Sequence, residues 1–348
     1  MSKAHSLRIF SGLGGLLAAG LMLHACSKLP GTSSVPGVGG VGGNDGNSLE
    51  SNACGDLSGS EVGRKYMAFI DASADLQKAA TSVESTIKDA CIAMGRELQL
   101  TAAQLSGDTK TICTSAFATL SDFRKVGIKA GANVNIKYTP AVCTVNMEAA
   151  ASAAAKCEGK ATADIAVQCS GQCDGTCSGK CDGACAGSSK SGTSCNSQCD
   201  GTCEGTCQGQ CRGHADVKAD GQCRAKAEVA ASIEATCTPA KLDVSAKAGV
   251  MIDKAKAEAA FAAMRAGIPT ILSAGARLES LGAATRTWAE AAGELAGAGR
   301  DLASEFRSQA MCFTGQVAAV ARSVTQVNAS ISVSVEVSAS ASGSVGAN

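Results

Sequence analysis

Between Cys169 and Cys211 a cysteine falls at every fourth position, in two runs: Cys169, Cys173, Cys177, Cys181 and Cys185, then Cys195, Cys199, Cys203, Cys207 and Cys211. Most are followed two residues later by glycine, as in Cys173-Asp-Gly-Thr-Cys177. A fourfold spacing alone would suit one side of a helix, but each helical glycine costs about 1 kcal/mol relative to alanine, and this density of glycine excludes a helix. The run is therefore extended. Strand side chains alternate between two faces, so cysteine and glycine share one face while Ser, Asp, Gln, Lys and Thr take the other.

Folded back at Lys190, the run becomes an antiparallel hairpin whose facing residue numbers sum to 380: Cys185 with Cys195, Cys181 with Cys199, Cys177 with Cys203, Cys173 with Cys207 and Cys169 with Cys211. The outlying cysteines obey the same sum despite irregular spacing, Cys157 with Cys223 and Cys143 with Cys237. Opposed Cα atoms in an antiparallel pair lie about 4.5 or 5.5 Å apart, inside the range of about 4.4 to 6.8 Å that a disulfide spans. The expectation is a long β-hairpin over residues 131–247, laddered by seven cross-strand disulfides. Between them Met147, Ala151, Ala153, Ile165 and Val167 face the same side as Val217, Ala225, Val229 and Ile233, and Pro140 and Pro239 flank the base.

Residues 1–25 pair a basic start, Lys3 and Arg8, with an apolar run from Ile9 to Leu23, the pattern of an export signal. The run ends Leu23-His24-Ala25-Cys26, which resembles the lipobox of bacterial lipoproteins. That resemblance implies cleavage before Cys26, acylation of Cys26 by fatty acids including palmitate and, because Ser27 rather than Asp follows, delivery to the outer membrane. It covers the first 27 residues only. Of 19 cysteines, removing Cys26 leaves 18, an even number suited to an oxidising compartment. Residues 26–53, rich in Gly, Ser and Pro, read as a tether with a reach of roughly 30 Å.

Helical periodicity surrounds the hairpin. Val62, Tyr66, Phe69, Ile70, Val83, Ile87, Cys91, Met94 and Leu98 mark a helix from Ser60 to Leu98, and Ile112, Cys113, Phe117 and Leu120 a second ending near Lys125. Cys91 and Cys113 lie about equally far from the Leu105–Asp108 turn, so a bridge between them is expected. After the hairpin, three helices are expected, Val250–Ala266, Pro269–Ala296 and Arg300–Gln326, broken at Pro269 and at Ala-Gly-Ala-Gly 296–299. Cys312 then stands within reach of Cys54 or Cys91, and spacing does not decide between them. Residues 328–348 alternate Ile331, Val333, Val335 and Val337 with polar residues and read as a strand. The fold class is thus α+β: an Ala-rich antiparallel helical bundle, from 54–130 and 248–327, with an inserted disulfide-laddered β-hairpin and a C-terminal β-strand.

Hydrophobic residues make up 45% of the chain but aromatics only 3%, so thin, closely approached layers are expected rather than a thick core. Without residues 1–25 the chain carries 29 bases (31 minus Lys3 and Arg8) against 31 acids, a balance that does not point to nucleic acid. Successive cysteines in a strand place their sulfurs about 13 Å apart, too far for the tetrahedral set a zinc site needs. His214 is the last histidine beyond the signal segment, and no nucleophile elbow accompanies it. Trp288 reads as packing within an Ala-rich helix. No catalytic residue, metal ligand or cofactor is expected. The functional expectation is a non-enzymatic, outer-membrane-anchored envelope lipoprotein with a structural or adhesive role, its partners being the membrane and a protein or second copy met through strand edges. A cysteine-rich metal-binding or redox-buffering protein is the alternative.

Overall fold

Helix α1 (Glu61–Glu97) is the axis on which a computed structural model of the chain is built. The structure describes residues 49, 54–130, 132, 134–185, 193–305 and 310–346. The signal segment 1–25, Cys26, the tether apart from Leu49, and the tip at Lys190 lie outside the described residues. Ser60 caps α1, its hydroxyl accepting from the Gly63 N–H at 3.0 Å. Tyr66, Phe69, Ile70, Ser73, Leu76, Ala80, Val83, Ile87, Cys91 and Met94 then form one buried stripe at helical spacing. Asp108 caps α2 (Thr109–Gly127) in the same way, and Cys91 is bonded to Cys113 across this helical hairpin.

Two helices complete the bundle. Helix α5 (Lys254–Glu305) runs unbroken through Pro269, where separate helices were expected. Proline costs a helix interior about 3 kcal/mol, but Ile268, Ile271 and Leu272 are buried beside it, at about 1.5–3 kcal/mol apiece, and burial wins. The Ala-Gly-Ala-Gly stretch at 296–299 is likewise helical. At Gly267 the crossing with α1 is so close that a Cβ would lie 2.6 Å from the Ala90 carbonyl oxygen. The segment Lys254–Leu295 is long and apolar enough to cross a membrane by length and composition, yet half of its most apolar window is buried inside the bundle.

Helix α6 (Ala310–Gly346) overturns the expected C-terminal strand. Apart from Ala319, its buried residues among those described are Val320, Ser323, Val327, Ser330, Ser334, Val337 and Ala341, spaced alternately three and four apart. That is a helical seam, and Ser and Ala carry much of it. The alternating Ile331, Val333 and Val335 are only half-buried. Cys312, in α6, is bonded to Cys54 and not to Cys91.

The residues between the two halves of the bundle nest symmetrically. Strands β1 (Asn135–Thr139) and β6 (Lys241–Ser245) pair with Ile136 opposite Val244 and Tyr138 opposite Leu242, on the expected sum of 380. Strands β2 (Val142–Asn146) and β5 (Thr236–Thr238) continue it, with Cys143 opposite Cys237. Beyond them the continuous hairpin gives way to helices, α3 (Met147–Glu158) and α4 (Gly221–Ile233), joined by Cys157–Cys223. The Met147-Glu-Ala-Ala-Ala-Ser-Ala-Ala-Ala run fits a two-residue alternation and a helix equally well, and alanine's helix propensity decides. Asn146 caps α3 by accepting from the Glu148 and Ala149 N–H groups, and Gly159 ends it at φ 69°. Strands β3 (Val167–Cys185) and β4 (Thr193–Val217) form the outermost layer of the nest. The architecture is α+β.

Candidate functional site: a cystine-filled barrel

All five disulfides of the repeat connect residues whose numbers sum to 380: Cys169–Cys211, Cys173–Cys207, Cys177–Cys203, Cys181–Cys199 and Cys185–Cys195. The backbone does not follow them. Along one side of β3 the ladder pairs Gln172 with Arg212, Thr176 with Gln208 and Lys180 with Glu204, a sum of 384. Along the other side the same residues pair with Thr202, Gln198 and Ser194, a sum of 374. The flat ribbon with directly opposed cysteines is therefore corrected: β4 flanks β3 on both sides, and the two strands wind around each other into a closed barrel.

The geometry follows from the register. The two partners of Gln172 differ by ten residues (212 minus 202), so the ribbon closes after a shift of ten. For two strands about 4.8 Å apart this gives steeply inclined strands, a circular radius of about 5–6 Å and a rise along the axis of about 4 Å per four residues. Odd-numbered side chains point inward, and the repeat cysteines are all buried. A sum of 380 falls between 374 and 384, so each disulfide reaches across the lumen instead of along the ladder. The Cα atoms it joins are 5.8 Å apart at Cys173–Cys207, which makes the barrel flatter than a circle. Five cystines stacked along the axis form most of the filling, with Val167, Ala215 and Val217 buried in the same core toward the bundle end. Sulfur contacts backbone inside, with Cys169 Sγ 3.6 Å from the Gln172 carbonyl oxygen and Cys211 Sγ 3.6 Å from that of His214.

Coiling explains the glycines. A Cβ at Gly171 would sit 2.0 Å from the Arg212 carbonyl oxygen, so this wall admits no side chain there. It also explains why an arm with so little apolar substance holds together: the inward face meets itself. Extended, β3 would measure about 60 Å at 3.3 Å per residue; wound, it occupies about 17 Å of axis. The outward face carries Ser, Thr, Asn and Gln, with Ser178 Oγ 2.7 Å from Asn196 Oδ1 across the 374 seam. Gln168, Gln172 and residues 176–181 of β3 have a β4 partner on both sides.

The barrel is seated by charge and by strand. Strand β2 pairs with β4 at Val145–Cys211 and Asn146–Gln210. The Lys65 ammonium of α1 donates to the Asp220 carboxylate, the Asp220 N–H donates to Glu158 at 2.8 Å, and Glu158 pairs with Lys160 at 2.8 Å. Lys160 first, then the Asp220 N–H, hold the Glu158 carboxyl below its usual range. The sequence offered no sign of this lock, since Lys65 lies 155 residues from Asp220. Above it Glu228 is 7% exposed, and burial pushes its carboxyl up, against the pull of Thr287 and Arg224. His214, placed opposite Ala166 by a sum of 380, in fact faces Ser170; burial lowers its pKa.

The remaining expected residues are structural in place. Trp288 is fully buried, its Nε1–H donating to Ser73 Oγ at 2.8 Å and its ring stacked on Phe69 at 6.4 Å between centroids. Among the described residues no group of three or more His, Cys, Asp or Glu is disposed to hold a metal ion. The nine disulfides take up every cysteine except Cys26. Such a density belongs to an oxidising compartment, periplasmic or extracellular. Comparison of the chain with protein-family models, curated proteins and solved structures finds no match.

Proposed function

We propose that the chain is a non-enzymatic envelope lipoprotein, anchored to the outer membrane through acylated Cys26, whose barrel is a rigid presenting element for adhesion or spacing. The observation that carries this reading is the lumen: all ten repeat cysteines are buried in it as disulfides, while the outward face is polar, with Lys180, Asp182, Arg212 and Asp216 among Ser, Thr and Gln. Such a body contributes stiffness and surface. Because β4 flanks both edges of β3 over 176–181, a partner that adds a strand finds freer edges at β5 and at the β1–β6 pair.

The experiment replaces residues 161–219 by a short Gly/Ser linker in cells that carry the protein. Adhesion of those cells to one another or to a surface should fall while the shortened chain stays in the membrane fraction, and labelled palmitate should enter the full chain but not its Cys26→Ala variant. Unchanged adhesion would remove the presenting role, and absence of label from the full chain would remove the anchor. The metal or redox store is the second reading. Pairing of all 18 other cysteines argues against it, and a thiol titration of unreduced protein tests it.

A further inference from the structure

Cys143–Cys237 differs from the other eight disulfides in that neither of its cysteines is buried. It joins β2 to the three-residue edge strand β5, whose few ladder bonds make local opening cheap. Cys237 also forms part of the wall of a cavity of about 440 Å³, between α1, the β5–β6 turn and α5. The same wall carries Arg277 and the hydroxyl-bearing residues Ser82, Thr86 and Thr270. Arg277 donates from Nη2 to the Ile233 carbonyl at 3.1 Å, its Nε is buried without a partner, and no carboxylate among the described residues pairs with it. A guanidinium with no carboxylate partner, in the same cavity wall as a partly exposed disulfide sulfur, favours an anionic thiol: it binds carboxylate and raises the local concentration of thiolate. The volume lies in the range of small-molecule pockets, about 300–1,000 Å³, and excludes a protein domain as the occupant.

We propose that this cavity is a thiol-exchange site, at which a small carboxylate-bearing thiol forms a mixed disulfide with Cys237. The incoming thiolate attacks Cys237 Sγ, the Cys143–Cys237 bond breaks as the new sulfur–sulfur bond forms, and the electron pair leaves on Cys143 Sγ, which takes a proton from water. The Cys143 thiolate reverses the modification by attacking Cys237 Sγ, re-forming the native bond and expelling the small thiol; a second molecule of the small thiol, attacking the adduct sulfur, instead removes it as a symmetrical disulfide and leaves both cysteines reduced. Opening this bond unties the innermost clasp of the nest, leaving Cys157–Cys223 as the covalent link between the two arms below the barrel.

The test uses the full-length oxidised protein. Reduced glutathione, which carries carboxylates, and cysteamine, which is cationic, are added at equal thiolate concentration; the mixture is quenched with an alkylating agent and peptide-mapped over time. Glutathione should appear on Cys237, with Cys143 alkylated, before any other pair opens, and should react about tenfold faster than cysteamine, a preference worth about 1.4 kcal/mol. Arg277→Gln should erase that preference while leaving the cysteamine rate unchanged, with circular dichroism checking the fold; if the variant does not fold, the wild-type ratio decides alone. Earlier opening of another disulfide, or equal rates for the two thiols on the wild-type protein, would overturn the proposal.

Discussion

Cys173 is bonded to Cys207 through sulfur but paired with Cys211 through the backbone. The offset of four residues between those partners is what distinguishes a wound barrel from a flat laddered ribbon, and it makes neighbouring cystines share one lumen. Replacing Cys177 and Cys203 together by alanine therefore should cost only about 1 kcal/mol, because Cys173–Cys207 and Cys181–Cys199 hold the walls on either side. An isolated loop of 26 residues would be worth about 3.5 kcal/mol on chain-entropy grounds. Urea denaturation of the unreduced variant measures the difference.

Ser73 accepts from the buried indole of Trp288 while itself donating to the Phe69 carbonyl at 2.8 Å. Ser73→Ala strands the Nε1–H with no exposure to water, at a cost of about 1–3 kcal/mol. The fall in stability, followed through Trp288 fluorescence, checks it; a loss under half a kcal/mol would show that the indole finds another acceptor.

Ser334 lies fully buried on the α6 seam, and its hydroxyl has no hydrogen-bond partner. Ser334→Ala should stabilise the protein by about 1 kcal/mol, since it removes an unsatisfied polar group at little change of volume. Ser334→Asp should destabilise far more than Val333→Asp, because Val333 is half-exposed. The reverse order in thermal melts would restore the strand that the valine alternation suggests.

Glu228 titrates above the ordinary carboxylate range because burial disfavours its charge. A raised folded pKa means that stability is fully present below the unfolded value, about 4.3, and declines as pH rises through the folded value. Glu228→Gln should therefore leave stability unchanged at pH 4 and raise it at pH 8, flattening the profile measured by denaturation at several pH values. His214 acts in the other direction: its lowered pKa gives stability above about pH 6.5 that is lost as pH falls through the folded value.

Much of the covalent plan was readable because cysteine spacing is a direct record of geometry. The sum of 380 identifies which sulfurs meet, and it also describes the backbone wherever the strands lie flat, at Ile136–Val244 and Cys143–Cys237. It fails for the backbone at β3 and β4 because a closed ribbon has two registers, and a linear alignment has one. Alanine accounts for another miss: in α3 it fits either periodicity, so Met147 and Ala151 could be read as strand when their neighbours Ala150 and Ala154 are the ones buried with Met147. In α6 the valines misled because serine, small enough for close helix contact, carries the seam. The choice of Cys54 for Cys312 depends on how α1 and α6 pack, which no local pattern encodes.

The five lumen disulfides span 10, 18, 26, 34 and 42 residues, each enclosing the last. Once Cys185 and Cys195 have joined, each later pair needs only four further residues ordered on each side, so loop-closure entropy favours closing the pairs in order from Cys185–Cys195 toward Cys169–Cys211, and a wrong partner near the start would hold back all that follow.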